Sequence, residues 1–355
     1  MDALLAVLQR RIGRSTASNG STSSQIRSSR SRLTQLVGLD ASTPRPFDQT
    51  PAGFAGLQNQ LQATGIAPQA PLVVLEATGS YWVALAVALH SAGYVVSVAN
   101  PAHVHNSAKS LPRRGKTDPL DTTVLTQFAQ ERQPAAWTPP PEVYHELRQR
   151  LVARDGLLEM RQQARNQLHA LEQWPVRVAA VQQMTQVIES LDGQLHTLEK
   201  AIAQVLADGA WASSAQHLQS IPGLGLVTAA WLLVGTVNFT TCESAEAAAH
   251  YAGLAPLERR SGSSVRGRAS IGRGGNKRVR TALYMATLSA ARYNPAIKRI
   301  YSRLREAGKP EKVARCAVAR KLMHLAFAVV RKQQDFDPSY QKLPSRISPE
   351  VEIAP

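Results

Sequence analysis

The chain has 355 residues, enough for two or three domains, each with its own hydrophobic core. Its formal net charge is +16 and its isoelectric point is about 10.3, values typical of proteins that bind nucleic acids. No apolar run is long enough to cross a membrane, and the start of the chain lacks the pattern of a signal peptide. Its two cysteines form neither a disulfide framework nor a zinc-ligand pattern, so we expect a cytoplasmic protein without a membrane partner.

The positive charge is concentrated in one segment. Residues 259–332 contain 20 Lys and Arg residues but only two acids, Glu306 and Glu311, and so carry a net charge of +18. The rest of the chain sums to about −2. A solvated surface rarely has so uneven a distribution, and the segment therefore predicts binding to a phosphate backbone.

Residues 1–46 have an atypical composition. Between Ser15 and Arg32, eight of eighteen residues are Ser, with Arg interspersed and almost nothing apolar. Such a segment buries too little surface to offset the entropy of ordering, so we expect 1–46 to be disordered.

Residues 47–137 alternate helix-like and strand-like units, which predicts an α/β domain with partly parallel strands. The expected elements are a helix over 51–64, a strand over 72–75, a helix over 80–92, a strand over 94–98 and a helix over 119–130.

Beyond the proline-rich linker at 138–143, the sequence predicts helices. Residues 143–206 contain two leucine-punctuated stretches separated by Trp174-Pro175, which predict a helical hairpin or coiled coil. The hairpin would serve either for dimerisation or as a plain two-helix subdomain. We expect a mainly helical domain over 215–335 and a tail over 336–355. In the first part of that domain, Gly223 and Gly225 either present backbone N–H groups to a phosphate or form a structural turn.

Three acids stand where an α/β fold places its sites. Glu76 follows the apolar run that predicts the first strand, and Asp118 and Asp121 begin a later helix. The two aspartates have an alternative interpretation, because Asp118 before Pro119 is also a natural helix cap. Mg²⁺ prefers carboxylate oxygens, so the three acids together indicate a divalent-metal site.

At these residues the chain resembles a known family. The segments EATGSYW (76–82), VANPAHV (98–104) and KTDPLD (116–121) are similar to those of the DEDD transposases of bacterial insertion sequences, which are related to the pilin-gene DNA invertase. Three later segments, AGLAPLERRSG (252–262), ASIGRGGNKRVRTALYMA (269–286) and GKPEKVARCAVARKLM (308–323), resemble the second domain of that family, in order. The resemblance covers about 47–332.

This resemblance implies a fold and a chemistry. The first domain would have an RNase H-like, Holliday-junction-resolvase-like fold in which four acids bind Mg²⁺, and Glu76, Asp118 and Asp121 match the last three of them. Ser261 would be the nucleophile that joins DNA through a phosphoserine intermediate. Ser261 is a weak nucleophile without activation, and the neighbouring Arg259 and Arg260 could hold the phosphate in line. Ser263 and Ser264 are rival hydroxyls.

Several basic residues are candidate nucleic-acid contacts. The glycine-rich turn and basic helix at 272–280 predict a clamp for a phosphate backbone. For the later residues, a solvated helix face is the alternative. The predicted contacts are Arg259, Arg260, Arg266, Arg268, Arg273, Lys277, Arg278, Arg280, Arg320 and Lys321.

The start of the chain departs from the family pattern. The family carries its first acid on an opening strand that is followed by a hairpin of further strands. Here the segment around Asp40 mimics that motif, but only six residues separate it from Phe47. Either Asp40 is a displaced fourth ligand, or the site has three acids and the chain is a decayed, weakly active or inactive element.

The leading hypothesis is an insertion-sequence transposase or site-specific DNA recombinase that uses Mg²⁺ and a serine nucleophile. The alternatives are a metal-dependent, structure-selective DNA nuclease and a catalytically decayed remnant that only binds nucleic acid. The resemblance implies DNA as the substrate, an element-encoded guide RNA in part of the family, a homo-oligomer (dimer or tetramer), and a location at the bacterial nucleoid.

Overall fold

The computed structural model describes residues 5–9, 48–63, 67–69, 71–77, 79–109, 118–176, 179–261, 265–272 and 274–339. At 5–9, 71, 108–109, 118–123, 257–261 and 265–270 it describes the backbone alone. The chain divides into two compact units, Met1–Pro139 and Pro140–Pro355. No helix in the described ranges combines the length and the apolarity needed to cross a bilayer.

The first unit is built on a three-stranded sheet with the order β1-β2-β3. Its strands are β1 (Leu5–Gln9), β2 (Pro71–Glu76) and β3 (Val95–Ala99). The pairing of β2 with β3 is parallel, which confirms the predicted parallel arrangement, and β1 pairs with β2 in the antiparallel sense.

The strand β1 is a correction to the sequence-based expectation, which took all of residues 1–46 as disordered. Leu5–Gln9 has the sequence LAVLQ, and this apolar run pairs along the whole of β2. The low apolar content that motivated the expectation belongs to the Ser/Arg-rich stretch that follows, and residues 10–46, including that stretch, lie outside the described residues.

Helices cover both faces of this sheet. They are α1 (Pro51–Ala63), α2 (Tyr81–Ser91), α3 (Pro101–Lys109) and α4 (Asp118–Arg132). Successive residues of a strand point to opposite faces, and β2 follows this rule. Val73 and Leu75 pack with α1 and α2, whereas Leu72 and Val74 pack with α3 and α4. The helix α3 was not predicted, because its polar sequence PAHVHNSAK lacks a clear apolar stripe.

The second unit is mainly helical. Its helices are α5 (Glu142–Glu172), α6 (Ala179–Asp208), α7 (Ala212–Gln219), α8 (Leu226–Thr236), α9 (Ala245–Tyr251), α10 (Lys277–Tyr293), α11 (Pro295–Glu306) and α12 (Glu311–Lys332). The antiparallel pair α5 and α6 is joined by ion pairs, Arg154 with Glu199 at 2.6 Å and Arg161 with Asp192 at 2.5 Å. The Arg161 bond also lowers the pKa of the Asp192 carboxyl.

A β-hairpin interrupts the helices. The strands β4 (Pro256–Ser261) and β5 (Val265–Ile271) pair in the antiparallel sense between α9 and α10. The sequence predicts no strands here, because the Arg, Ser and Gly residues of this segment have weak strand preference.

The core of the second unit surrounds α8, whose residues from Ala229 to Val234 are all buried. The loop before α8 lies directly against α10. At Gly223, which has a φ of +102°, an added Cβ would lie 2.5 Å from the Cβ of Ala290 and 2.6 Å from its Cα. The side chain of Asn294 also donates to the carbonyl oxygen of Pro222 at 3.3 Å. This close approach favours the structural-turn interpretation of Gly223.

We expect Gly223→Ala to lower the free energy of unfolding by about 2–4 kcal/mol, because it adds both a left-handed backbone penalty and a clash with α10. Urea denaturation measures the loss. Gly225→Ala in the same loop is the matched control, because an added Cβ at Gly225 meets nothing within 4 Å. That variant should lose less than about 1 kcal/mol. Equal losses in the two variants would contradict the packing role of Gly223.

Candidate catalytic and nucleic-acid-binding site

Glu76 ends β2, opposite Ala99 of β3 in the parallel register. Because strand residues alternate between faces, position 76 belongs to the same face as Leu72 and Val74. That face packs against Leu125, Phe128 and Ala129 of α4. Glu76 is partly exposed and therefore accessible at the carboxyl end of the strand.

Asp118 and Asp121 lie in the first turn of α4, the same helix that covers this face. Position 121 precedes Leu125 and Phe128 by four and seven residues, so it shares their helical stripe. The backbone thus assigns the three predicted acids to one side of the sheet. The side chains of Asp118 and Asp121, and the whole of Asp40, lie outside what is described. Among the described side chains, no group of three His, Cys, Asp or Glu residues could hold a metal ion.

Ser261 is the last residue of β4, at the end of the hairpin ladder where it pairs with Val265. The next pair in the register is Arg260 opposite Arg266, and then Arg259 opposite Gly267. Like charges directly opposite each other destabilise a strand pair. The register therefore sets two arginine positions opposite each other, on the face of the hairpin that alternation assigns away from position 261. The register of the hairpin shifts between Leu257 and Arg259, and Arg268 therefore lies outside the regular pairing.

The N-terminus of α10 follows the hairpin and is held by local hydrogen bonds. The side chain of Asn276 caps the helix, accepting from the backbone N–H groups of Arg278 and Val279 at 3.1 and 3.2 Å. The Asn276 backbone N–H donates to the carbonyl of Tyr251 at 2.7 Å, and its side-chain amide donates to the Tyr251 hydroxyl at 3.3 Å. The cap thus ties the basic helix to α9.

Arg280 is held within the second unit. Its Nη1 donates to the carbonyl oxygens of Gly274 at 2.7 Å and Ala252 at 3.3 Å. The guanidinium also fills the space where a Cβ at Gly253 would stand. Although the sequence predicts a nucleic-acid contact, the described bonds of Arg280 serve the loop that carries the hairpin.

Arg278 has internal partners as well. Its guanidinium lies 4.9 Å from the ring centre of Trp231 and 3.8 Å from an oxygen of Asp155. Burial raises the pKa of the Asp155 carboxyl above its usual range, while the Arg278 and Arg154 charges oppose the rise. Asp155 and Trp231 were not singled out from the sequence, because their positions in the leucine-rich α5 and the apolar α8 carry no site signal.

The remaining predicted contacts differ in their surroundings. Lys277 is exposed at the start of α10, and Lys321 is exposed on α12. Arg320 is half-buried. Hydrogen bonds at the start of α9 lower the pKa of the Glu246 carboxyl, and the charges of His324 and, least of all, Arg320 add to this effect. Burial lowers the pKa of His324. Arg273 lies outside the described residues, as do the side chains of Arg259, Arg260, Arg266 and Arg268.

Comparisons with known proteins match segments in both units of the chain. Residues 39–173 match the DEDD transposases of the IS110 type, and residues 215–302 match the Transposase IS116/IS110/IS902 family. The chain is 32% identical over 295 residues to the pilin gene-inverting protein of Moraxella bovis, covering 82% of this chain and 89% of the relative. The Moraxella lacunata counterpart gives the same identity and coverage. An uncharacterized 43.6 kDa protein of the insertion element IS110 from Streptomyces coelicolor is 37% identical over 114 residues, which covers 32% of this chain and 28% of that protein.

An α/β unit with the DEDD match, followed by a basic helical unit with the second match, defines an enzyme of the DNA transposase and recombinase class. Within that class, the chain belongs to the IS116/IS110/IS902 family of transposases.

From their surroundings, we expect substitution of Arg280 to lower the stability of the fold and substitution of Lys277 to weaken DNA binding instead. Arg280→Ala removes two bonds from a charged donor and should lower the free energy of unfolding by about 2–3 kcal/mol. Lys277→Ala should change it by less than about 0.5 kcal/mol. For DNA binding, Lys277→Ala should reduce the slope of log K against log salt by about 0.9. Urea denaturation and binding titrations over a range of salt concentrations measure the two effects. An Arg280→Ala chain as stable as the unmodified chain would refute the structural role of Arg280.

Proposed function

We propose that the chain is the transposase of an insertion sequence, which cuts and rejoins DNA strands with metal-binding carboxylates and with Ser261 as the nucleophile. The observation that carries this proposal is the hairpin register, which ends at Ser261 and in which strand alternation assigns positions 259 and 261 to the same face. An arginine at position 259 could hold the phosphodiester through charge-assisted hydrogen bonds while Ser261 attacks it.

The metal half of the site comprises Glu76, Asp118 and Asp121. Their carboxylates suit a hard divalent cation such as Mg²⁺, and their backbone positions lie on one side of the sheet. When bound, Mg²⁺ supplies positive charge to the oxygens of the reacting phosphate. The strand beside β2 has the sequence LAVLQ, which contains no acid, so β1 supplies no fourth ligand and the proposed site rests on three acids.

In the proposed chemistry, the Ser261 oxygen attacks a backbone phosphorus and loses its proton to a base. A bond between that oxygen and phosphorus forms, the bond between phosphorus and one DNA sugar oxygen breaks, and that sugar oxygen takes up a proton and leaves as a hydroxyl. The phosphoserine is itself a phosphodiester that links Ser261 to DNA. A hydroxyl from another DNA end can therefore attack its phosphorus and release Ser261. A hydrolytic nuclease would instead transfer the phosphate to water.

DNA is the substrate in this proposal. An element-encoded guide RNA and a homo-oligomer belong to it as partners, and they are supported by the family resemblance together with the +18 segment at 259–332. The exposed Lys277 and Lys321, with the arginines of the hairpin, are the proposed backbone contacts.

Ser261→Ala should abolish both strand exchange and the covalent protein–DNA adduct, because alanine has no oxygen to form the phosphate ester. The adduct is measured by denaturing electrophoresis of labelled DNA after quenching. Ser263→Ala is the matched control, since it removes a hydroxyl two positions away, and that variant should keep both activities.

The same assay separates the alternatives. A Ser261→Ala chain that still cuts DNA, with no adduct in the unmodified chain, would establish the nuclease. Loss of the adduct in Ser263→Ala, with Ser261→Ala active, would move the nucleophile to the rival hydroxyl.

Removing one metal ligand should lower the rate of DNA cleavage as much as removing the metal. Glu76→Gln should lower the cleavage rate in Mg²⁺ by at least about 100-fold, because a metal-bound carboxylate is replaced by a neutral amide. The exposed Asp48 of the same unit offers a control, and Asp48→Asn should cleave normally. Asp40→Asn should also cleave normally if the site has three acids.

Loss of cleavage in Asp40→Asn would make Asp40 the fourth ligand. A chain that is inactive under every divalent metal, but active after an acid-bearing first strand is restored, would instead be a decayed remnant that only binds nucleic acid.

A further inference from the structure

The two segments that flank the hairpin of β4 and β5 lie against each other. Residues 251–253 precede the hairpin and residues 274–276 follow it, and together they form what we call the hairpin base. The backbone N–H of Asn276 donates to the carbonyl oxygen of Tyr251 at 2.7 Å. At Gly275, which has a φ of +85°, an added Cβ would lie 2.5 Å from the backbone nitrogen of Gly253. The hairpin is therefore closed where it joins the helices.

A single side-chain nitrogen bridges the two halves of the hairpin base. Arg280 Nη1 donates to the carbonyl oxygen of Ala252, before the hairpin, at 3.3 Å and to that of Gly274, after the hairpin, at 2.7 Å. The nitrogen reaches both oxygens because Gly253, with a φ of +71°, has no side chain, and an added Cβ there would clash with Nη1. Arg280 and Gly253 thus hold the base closed together.

The helix that carries Arg280 is fixed to the core of the second unit. Val279, the preceding residue, is fully buried and lies so close to Gly235 of α8 that an added Cβ at Gly235 would clash with its side chain. Arg280 lies near the start of α10, just after the cap formed by Asn276. Its two bonds therefore attach both ends of the hairpin to a helix that is packed against the core.

The strand ladder transmits the orientation of the base to Ser261. The pairing of β4 with β5 runs from Pro256, next to the base, to Ser261 at the far end. At about 3.3 Å per residue, β4 extends about 17 Å, so a rotation of about 5° at the base would displace its end by about 1.5 Å. A displacement of about 1 Å at a reacting atom can lower a rate about 100-fold.

We propose that Arg280 is a positioning residue for Ser261, because it holds the hairpin base closed and so sets the direction in which β4 extends towards DNA. This inference rests on the proposed function, in which Ser261 is the nucleophile. Arg280 acts through the backbone of the hairpin and does not contact DNA, although its place in the basic segment predicts such a contact. Its loss therefore lowers the rate of bond formation and not the affinity for DNA.

The test measures two quantities on the full chain, the rate of adduct formation at saturating labelled DNA and the dissociation constant of DNA over a range of salt concentrations without divalent metal. Arg280→Ala should lower the adduct rate about 100-fold and leave the salt slope unchanged. Arg280→Lys should recover most of the lost rate, because one ammonium group can donate to both carbonyl oxygens. A DNA contact would instead reduce the salt slope of Arg280→Ala by about 0.9.

Gly253→Ala opens the same base without removing a charge. Its Cβ displaces Arg280 Nη1, so the adduct rate should fall as far as in Arg280→Ala, again with unchanged DNA affinity. Gly308→Ala is the matched control, because Gly308 has a φ of +72° and an added Cβ there meets nothing within 4 Å. It adds the same left-handed backbone penalty and should keep the adduct rate within about threefold of the unmodified chain.

Two further measurements separate positioning from stability and from chemistry. Ile202→Ala creates a cavity in the core at α6, so it lowers stability without touching the hairpin base, and it should keep the adduct rate. Hydrogen exchange of the free chain needs no chemistry. In Arg280→Ala and Gly253→Ala, the amides of 256–261 and 265–271 should exchange at least about 10-fold faster relative to those of α8. In Ile202→Ala this ratio should stay unchanged.

Two results would overturn the proposal. One is a reduced salt slope in Arg280→Ala with an unchanged adduct rate, which would make Arg280 a DNA contact. The other is a fall in adduct rate and a rise in hairpin exchange no larger than those of Ile202→Ala, which would leave Arg280 a role in stability alone. Absence of any adduct in the unmodified chain would refute Ser261 as the nucleophile, and hydrogen exchange would then decide by itself whether Arg280 holds the hairpin.

Discussion

The burial of β2 on both faces is the constraint on which the first unit depends. Leu72 to Leu75 alternate between two helical layers, and this alternation fixes the face of the sheet to which the next residue belongs. Glu76 therefore belongs to the layer of α4 as a consequence of how its neighbours are buried. A register shift by one residue would move the acid to the other layer, so the packing of four apolar residues also determines where the proposed metal ligand lies.

The second unit has a different constraint, because its fold must accommodate a segment with many positive charges. Its cations are divided between two uses. Arg280 and Arg315 extend hydrogen bonds or ion pairs into the unit, and Arg278 lies over Trp231. The lysines at positions 277 and 321 remain in solvent. Arginine suits the first use because its planar, weakly hydrated guanidinium can be partly buried while still making several directed bonds.

Much of the first unit follows from its sequence. The apolar run at 72–75, ended by an acid, predicts the strand and its site, because burial on both faces has a plain sequence signature. The hairpin of β4 and β5 has no such signature, since its arginines, serines and glycines favour no element. The role of Arg280 is likewise invisible in the sequence, because its acceptors lie 6 and 28 residues away and their approach depends on the turn at Gly253. Local pattern predicts elements, whereas the partners of a long polar side chain depend on the tertiary structure.

The facing arginines of the hairpin have a thermodynamic consequence. Any polyanion that screens Arg260 from Arg266 binds the paired strands better than the separated ones, and linkage then requires that it stabilise the pairing to the same extent. The strand that ends at Ser261, the proposed nucleophile, is in this sense stabilised by the polyanion. Without a bound polyanion, the hairpin retains this repulsion, and the pairing of β4 with β5 is at its least stable.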